Sequence, residues 1–499
     1  MERKPRKINP PVFIPLNTNA EIKAHAPDLY NAISPVVWDI WKIATPTQDG
    51  KNAFIPNRVF AANAYLNNKY PEWVKETVNT QTNENTWVIR DDILKAIYPH
   101  AKTYAELEAI YERNGVFTFE DFFIPELDTF QGFEKFLYEV RDRFGDQLIA
   151  PLGSLYASNY LRAFLGGTLY CSFEPKTMKP FSVAREKKTE FIDIMRTFSK
   201  WYNDGIIDPD FAILLENDEV MEQNLFNGEY GVMMWNWGVA DMNQNLEALG
   251  RDYRFRPVPV SYNTGDLVCD RVAMVESGRA PIAWVMNRDK INLEDAYQVL
   301  HYLNYPATDE GMKLMVWGPE DAGLWEEVGG KRQWKDPDFA AIVAGDKDKG
   351  GKDFTYYGLL ARDEWGARQY IFSWLMFFPV NPYLPTVAQG RRSFDSAYTK
   401  ALTSYNQSFW DSAYSGWNTT TKTNDQFWNN WGLLNDQMAK IIVAGADFDT
   451  EMDKLYDILN NDVRLDEYME DQGGGYIKFI KDRMQYITFH PAFNPSTLK

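Results

Sequence analysis

Cysteine and histidine are scarce in this chain of 499 residues. It contains two cysteines, Cys171 and Cys269, and four histidines. Two cysteines so far apart in a long chain do not define a disulfide scaffold, and whether they pair stays open. The histidines are scattered, and no HExxH or CxxC spacing occurs, so neither a metal site nor a cofactor is expected.

Long apolar runs are missing as well. No segment approaches the roughly 18 consecutive apolar residues that a membrane-spanning helix needs. The basic start of the chain leads into Ile8-Asn9-Pro10-Pro11 rather than into an apolar segment. No secretory signal peptide is therefore identified in this chain.

Basic residues are fewer than acidic ones: the chain has 52 Lys and Arg against 70 Asp and Glu, which gives a net charge of −18 at pH 7. An acidic protein repels phosphate backbones, so nucleic acid is not an expected partner. The sequence has no Walker loop, GxSxG elbow or dinucleotide fingerprint. Asp346 and Asp348 resemble the start of a calcium loop, but the twelfth position is Tyr357 instead of Glu, so no calcium is expected there.

Aromatic residues, by contrast, are abundant, with 17 Trp, 28 Tyr and 31 Phe. Large cores use Phe, but this much Trp and Tyr also suits a ligand surface that needs flat, half-polar faces. The stretch EYGVMMWNWGVADMNQN, residues 229–245, places Trp235-Asn236-Trp237-Gly238 where an apolar strand ends. Two large aromatic side chains at that position are the first candidates for a binding site.

Strands and helices alternate along the first two thirds of the chain. Thr86 to Ile89 is strand-like, and Asp91-Asp92 can cap the helix that follows. Thr103 and Glu106 have the spacing of a capping box, and Gly115 is expected to end that helix. Further strands are predicted in QLIAPLG, YGVMMWNWG, YRFRPVPV and RAPIAWVM.

An amphipathic helix is predicted at TFQGFEKFLYEVRDRFGD, with Phe133, Phe136, Leu137 and Val140 on one face. The alternation as a whole predicts an α/β fold whose sheets are covered on both faces. After about Leu324 the pattern becomes mostly helical, with long polar connections.

Six segments share their order along the chain with one protein family. They read PVFIPLN…HAPDLYNAI, TWVIRDDIL, FSKWYNDGIIDPDF, LFNGEYGVMMWNWG, NLEDAYQVLHYLNYPATDEGMKLMVWGPE and GGGYIKFIKDRMQ. Together they resemble the extracellular solute-binding proteins of sugar ABC importers, in particular the large oligosaccharide- or alginate-binding type. The first five cover most of residues 12–320, and the sixth is similar to the family's C-terminal helix.

The resemblance implies a two-lobed periplasmic-binding-protein fold of type II, an α/β clamshell with a largely helical C-terminal portion. It places residues 1–150 and 259–316 in the first lobe, and residues 151–258 and 317–499 in the second. The chain would cross between lobes near Pro151, Val258 and Trp317. The family's lipoprotein signal and first strand–helix segment are not found here, so the first lobe is expected to be incomplete at its start. The segment YERNGVFTFEDFF also lacks the oxygen ligands of the family's calcium loop.

In function, the resemblance implies an extracytoplasmic receptor that binds an oligosaccharide and passes it to ABC permease subunits, without catalysis. A monomer is expected, and the full-length form would be a membrane-anchored lipoprotein or a periplasmic protein. One alternative is a polysaccharide-acting glycoside hydrolase or lyase, which would also be acidic and rich in aromatic residues. Another is a surface protein that binds nutrients without an importer.

Carbohydrate chemistry explains the choice of Trp235, Asn236 and Trp237 as ligand contacts. Sugar rings have apolar faces on which indole stacks, and hydroxyl rims that amides, carboxylates and arginine satisfy. The carboxyl edge of an open α/β sheet is where such proteins bind ligands. The alternative is that both tryptophans pack under a loop as part of the core.

Other candidates come from loops and strand ends elsewhere in the chain. They are Tyr156 and Asn159, Arg271 and Arg279, Trp317 and Glu320, Trp374 and Phe378, and Trp87. An arginine pair suits hydroxyls or a uronate carboxylate, with solvent exposure as the alternative. For the aromatic candidates the alternative is core packing, and Arg90 is expected to form a structural ion pair.

Overall fold

The computed structural model describes residues 19–32, 55–56, 86–153, 160–161, 164–173, 177–214, 218–235, 239–258, 273–274, 283–284, 292–305, 308, 310–311, 314, 317–328, 331–339, 394, 397–398, 401, 422–481, 487–488 and 494–498. Within these residues, no helix is both long and apolar enough to span a bilayer.

The described helices, in chain order, are α1 (Asn19–His25), α2 (Pro27–Ala32), α3 (Asp91–Ile97), α4 (Tyr104–Asn114), α5 (Phe130–Phe144), α6 (Val183–Glu186), α7 (Lys188–Asn203), α8 (Phe211–Leu214), α9 (Asp218–Asn227), α10 (Val239–Ala248), α11 (Leu293–Asn304), α12 (Lys422–Asn429), α13 (Trp431–Val443), α14 (Phe448–Asp457) and α15 (Leu465–Lys481).

The described strands are β1 (Ile55–Pro56), β2 (Thr86–Arg90), β3 (Ala150–Leu152), β4 (Ser172–Phe173), β5 (Pro180–Phe181), β6 (Tyr230–Trp235), β7 (Phe255–Val258), β8 (Ala273–Met274), β9 (Ala283–Trp284), β10 (Trp325–Val328), β11 (Lys331–Trp334) and β12 (Ile487–Thr488). Short 3₁₀ turns occur at Phe119–Asp121, Pro125–Leu127, Glu320–Ala322, Gly445–Asp447 and Pro495–Leu498.

The chain divides into two compact units. The first comprises Met1–Thr80, Met274–Ser393 and Ser412–Asn418, and the second comprises Gln81–Ala273, Phe394–Asp411 and Thr419–Lys499.

A four-stranded sheet in the order β3-β6-β2-β7 organises the second unit. β3 and β6 are parallel, with Leu152 opposite Val232. β2 is antiparallel to both of its neighbours, so Trp87 pairs with Met234 on β6 and with Val258 on β7. β3, β6 and β7 therefore all run in one direction.

Helices cover both faces of this sheet. Successive side chains of a strand point to opposite faces, so Trp87 and Val88 face different layers. Trp87 packs against Phe133 of α5 with ring centroids 4.5 Å apart. Val88 belongs to a buried cluster on the other side, which includes Leu107 of α4 and Leu246 of α10. The predicted covered α/β sheet is confirmed in this unit.

Two helices begin and end as their sequences predict. The Thr103 side chain accepts from the backbone N–H of Glu106, whose carboxylate accepts from the N–H of Thr103 in return. Gly115 follows α4 with φ 70°, a left-handed conformation that glycine adopts without steric cost. On α5, the predicted apolar face is fully buried at Phe133, Phe136, Leu137 and Val140.

A buried carboxylate joins α3, α4 and β7. Asp91 is 8% exposed, and its two oxygens accept from the backbone N–H groups of Tyr104 at 3.0 Å and Arg254 at 2.9 Å. Burial raises the pKa of this carboxyl, although the two hydrogen bonds act to lower it. The predicted capping of α3 by Asp91-Asp92 is wrong: Arg90 is the N-cap, without a side-chain bond, and Asp91 instead ties other elements together.

Arg256 on β7 is a second buried polar residue that links separate segments of the chain. Its guanidinium donates to the carbonyls of Lys102 at 2.8 Å and Phe122 at 2.6 Å, and its side chain is fully buried. Burial lowers its pKa to about 10, so the group is still charged at neutral pH. Two loops are thereby held against the last strand of the sheet.

The C-terminal helices form a layer on α7. α7 packs against a helix pair, α13 and α14, whose buried residues include Leu434 and Leu455, and the guanidinium of Arg196 on α7 lies 4.3 Å from the ring centroid of Phe448. An ion pair of 2.7 Å joins Arg185 to Asp466, 281 residues later. The largely helical C-terminal portion expected from the sequence is present.

The first unit contains α1, α2 and α11, the β1–β9 pair and a hairpin made by β10 and β11. Trp325 and Trp334 are paired directly across this hairpin and are buried against Trp317. A hairpin was not expected after Leu324, where the pattern reads as helical. The two tryptophans pack across β10 and β11 and stabilise the hairpin, although the charged residues around them are not typical of strands.

The two units differ from the lobes expected from the sequence. Residues 86–150 were placed in the first lobe, but β2 pairs with β6 and β7 and belongs to the second unit. Pro151, a predicted crossing, lies inside β3 of the same sheet. Residues on both sides of Trp317 belong to the first unit. Strand pairing between distant segments, which one sequence does not reveal, sets these boundaries.

Replacing Asp91 with alanine leaves the backbone N–H groups of Tyr104 and Arg254 without their acceptor. We expect the variant to lose about 3 kcal/mol of unfolding free energy, since each buried unpaired donor costs about 1–3 kcal/mol. Asp142→Ala is the control, because this carboxylate is exposed and pairs only with the neighbouring Arg141. Calorimetric melting would show a lowered transition for Asp91→Ala alone; equal melting of the two variants would contradict the structural role of Asp91.

Candidate functional site

Three strands of the second unit end at one edge of its sheet. β3, β6 and β7 share a direction, and their last residues are Leu152, Trp235 and Val258. The antiparallel β2 begins at the same edge, with Thr86 opposite Trp235. Open α/β sheets bind ligands outside the carboxyl ends of their strands. This carboxyl edge is therefore the candidate site.

Two of the predicted binding segments leave the sheet at this edge. Asn236 and Trp237 directly follow the end of β6, and Tyr156 and Asn159 follow the end of β3. These four residues lie outside the described residues. Because β3 pairs with β6, both segments nevertheless begin at the ends of neighbouring strands. The sequence alone does not reveal this pairing.

The ring of Tyr230 supports the point where β3 ends. A Cβ atom on Gly153 would lie 2.3 Å from Cγ of Tyr230, so only glycine lets the chain pass this ring. The Tyr230 hydroxyl donates to Oδ2 of Asp208 at 2.6 Å, and the Asn224 amide donates to that hydroxyl at 2.9 Å. Burial, followed by the Asp208 carboxylate, raises the pKa of Tyr230, so its hydroxyl keeps its proton at neutral pH.

Asp208 links this tyrosine to the strand end. It is 2% exposed, and it follows Ile207, which pairs in parallel with Leu152. Its backbone N–H donates to the Leu152 carbonyl at 3.1 Å, and its Oδ1 accepts from the N–H of Asp210 at 2.8 Å. Both carboxylate oxygens are thus engaged within the protein, and Asp208 positions the strand end instead of facing a ligand. Asp208 lies in the segment FSKWYNDGIIDPDF, and no role for it was predicted from the sequence.

Trp87 lies at the same edge, but its ring is fully buried. It packs against Phe133, Tyr160 and Phe164. A sugar can contact this ring only if that packing opens. The role of Trp87 as a ligand contact stays a prediction, and core support is what the structure shows.

The neighbouring Arg90 pairs with Asp92 at 2.6 Å and lies over the ring of Tyr253, 3.8 Å from its centroid. The structural ion pair predicted for Arg90 is confirmed.

Trp317 and Glu320 lie in the first unit. Trp317 is fully buried, with its ring 4.8 Å from that of Trp334. Glu320 begins an exposed 3₁₀ turn. Trp317 is therefore a core residue in this structure, while the exposed carboxylate of Glu320 is open to solvent; ligand roles for both stay predictions.

The remaining predicted contacts lie outside the described residues, except Trp235, for which the structure describes the backbone but not the side chain. The backbone of Trp235 ends β6 opposite Thr86. Outside the described residues altogether are Asn236, Trp237, Tyr156, Asn159, Arg271, Arg279, Trp374 and Phe378. Of the two cysteines, Cys171 is buried and Cys269 lies outside the described residues.

In the part of the chain that the structure describes, no three or more His, Cys, Asp or Glu side chains converge on a possible metal position. The loop at Asp346 and Asp348 lies outside that part.

Comparison with known proteins finds relatives in structure but not in sequence. No family model and no curated protein matches the chain. An HMO-binding, ABC-transporter-associated solute-binding protein from Bifidobacterium longum infantis matches with a TM-score of 0.51 and 12% identity, over 92% of this chain and 83% of that one. In fold, this chain is similar to a solute-binding protein. The predicted fold class is confirmed.

Two further solved structures are similar over most of the chain. The alginate-binding protein AlgQ2 without calcium ion has a TM-score of 0.49 and 16% identity, over 93% of this chain and 81% of that one. The N-glycan transport solute-binding protein NgtS from Streptococcus pneumoniae, in complex with Man5GlcNAc, has a TM-score of 0.43 and 14% identity, over 94% and 83%.

Gly153→Ala tests the support beneath the carboxyl edge. The added methyl group collides with the Tyr230 ring near its attachment to the backbone, so the ring or the strand end must move. We expect a loss of about 1–3 kcal/mol of unfolding free energy, as for other overpacked cores. Gly474→Ala on α15 is the control, because a Cβ there meets no atom within 4 Å. If calorimetry shows that both variants melt with the parent, the close approach at Gly153 is not structural.

Proposed function

We propose that this chain is an extracytoplasmic receptor that binds an oligosaccharide and delivers it to the permease subunits of an ABC importer. The observation that carries the proposal is the carboxyl edge, where strands β3, β6 and β7 end together and two aromatic- and amide-bearing segments begin. The fold shared with the HMO-binding protein supports the same role.

Recognition at this edge would combine stacking and hydrogen bonding. The indoles of Trp235 and Trp237 would stack on the apolar faces of sugar rings. Asn236 and Asn159 would bond to ring hydroxyls, and Tyr156 offers both an aromatic face and a hydroxyl. Affinity for a sugar then comes from a few large contacts, as in other well-packed binding sites.

The remaining candidates are proposed as further groups that recognise the ligand. The guanidinium groups of Arg271 and Arg279 suit hydroxyls or a carboxylate of the ligand. The net charge of −18 does not decide between a neutral and an acidic oligosaccharide, because a binding site can carry its own local positive field. Trp374 and Phe378 are proposed as additional stacking faces.

The receptor would bind its ligand without altering it. Asp208, a buried carboxylate whose backbone N–H bonds to the last residue of β3, has both of its oxygens bonded by Tyr230 and Asp210. A general acid or base must have an oxygen that reaches the substrate. The arrangement of Asp208 therefore suits a supporting role and not proton transfer.

A ligand would be found by thermal shift over neutral and acidic oligosaccharides, since a molecule that binds only the native state raises the melting temperature. Trp237→Ala should then weaken binding of that ligand by about 30-fold, the effect of losing about 2 kcal/mol from a stacked aromatic contact. Titration calorimetry measures the change.

Trp428→Ala is the matched control, because this tryptophan is 50% exposed on α12 and its ring lies beside those of Tyr170, Phe427 and Trp431. It should leave the affinity unchanged. Release of reducing ends or unsaturated products from the bound sugar would show a polysaccharide-acting enzyme. Equal effects of the two tryptophan substitutions would show that the carboxyl edge is not the binding site.

A further inference from the structure

Two of the four histidines of this chain meet in the first unit. His25 is the last residue of α1, and His301 lies on α11, 276 residues later. Nδ1 of His25 is 3.2 Å from Nε2 of His301. The spacing of the histidines in the sequence does not reveal this pair, because it is formed by the packing of helices that are 276 residues apart.

Neighbouring contacts hold the two imidazoles in place. The ring of His25 stacks on Tyr297 of α11, with centroids 3.8 Å apart and planes 9° from parallel. Tyr297 precedes His301 by one helical turn. One turn beyond His301, the Asn304 side chain accepts from the backbone N–H of Leu29 at 2.9 Å and donates to Asp28 at 3.2 Å. The register between the helices is therefore set on both sides of the histidine pair.

The distance between the two nitrogens fits a shared metal ion. Two nitrogens that are each about 2.0–2.1 Å from one zinc ion in tetrahedral geometry lie about 3.3–3.4 Å apart. We propose that Nδ1 of His25 and Nε2 of His301 bind one divalent transition-metal ion, of the Zn²⁺, Ni²⁺ or Cu²⁺ type. Imidazole favours these ions, whereas Mg²⁺ and Ca²⁺ prefer oxygen ligands.

The proton balance is simple. Without metal, the pair shares one proton in an N–H···N hydrogen bond, and metal binding requires both of these nitrogens as neutral lone-pair donors. When the metal binds, the proton between the rings moves to the other nitrogen of the ring that carries it. His25 then has its proton on Nε2, and His301 has its proton on Nδ1. No charge is lost from the protein in this step.

The site would be open and exchangeable. His301 is exposed and His25 is half-buried, so water can reach the ion and complete its coordination. The Asp28 carboxylate of α2 is bonded to Asn304. Structural zinc sites use four protein ligands, so two histidines with water form a weaker site that fills according to the metal concentration. Binding would fasten α1 to α11.

Titration calorimetry with ZnCl₂ on the full chain tests the site, with His25→Gln and His301→Gln as variants. Each should lower zinc affinity by at least tenfold, because even the loss of a group that orients a metal ligand costs about 10–100-fold. His100→Gln is the control: this exposed histidine lies in the second unit, 3.3 Å from Glu126. Its substitution should leave the affinity at the pair unchanged, and MgCl₂ should give no heat of binding.

Electron paramagnetic resonance of added Cu²⁺ gives a second readout that does not depend on stability. The parent should show coupling to two imidazole nitrogens, and each single variant to one. Circular dichroism confirms that the variants are folded. Zinc affinity that is equal in the parent and in both variants would overturn the proposal, as would loss of binding in His100→Gln alone. Oligosaccharide binding is a separate property, and these substitutions should not change it.

Discussion

The direction of the strands in the four-stranded sheet is the constraint on which the rest of the second unit depends. Because β2 runs antiparallel between β6 and β7, those two outer neighbours share one direction, and β3 joins them through parallel pairing with β6. Three carboxyl ends at one edge are the direct result. If β2 were antiparallel to β6 but parallel to β7, the carboxyl end of β7 would lie at the opposite edge of the sheet.

Buried polar groups fix the loops around this sheet. Asp91 bonds to the starts of α4 and β7, and Arg256 bonds to two carbonyls on separate loops. The Tyr230–Asp208 hydrogen bond does the same beneath the end of β3. Each group is nearly or fully out of water, so removing one partner leaves the other unsatisfied and costly. Such networks hold one loop arrangement, which a surface that recognises a rigid ligand requires.

Local structure was predictable where the sequence itself contains the cause. The capping box at Thr103 and Glu106, the glycine after α4 and the apolar face of α5 all depend on residues within a few positions of one another. The role of Asp91 was predicted incorrectly, because its partners lie on α4 and β7 and compete with local capping. The pairing of β2 with β6 and β7, and hence the division into units, likewise depends on distant segments.

The chemistry proposed for the candidate site comes from the sequence alone, whereas its position at the sheet edge comes from the strand pairing. Aromatic and amide residues after an apolar strand indicated a sugar-binding surface at Trp235 to Trp237. That β3 ends beside β6 follows only from the parallel register. Trp87 and Trp317 read as possible ligand contacts, yet both rings are buried in cores, since a single sequence does not distinguish an indole that stacks on sugar from one that packs on other rings.

The layer that α13 and α14 form on α7 has a consequence for biosynthesis. Arg196 of α7 pairs with Asp449 of α14, which lies 253 residues later in the chain, and Arg185 pairs with Asp466, 281 residues later. Contacts between such distant residues slow folding, because a long loop must close before they form. The surface of α7 on which α13 and α14 pack stays uncovered during synthesis until those two helices have been made, and an uncovered apolar surface is prone to aggregate.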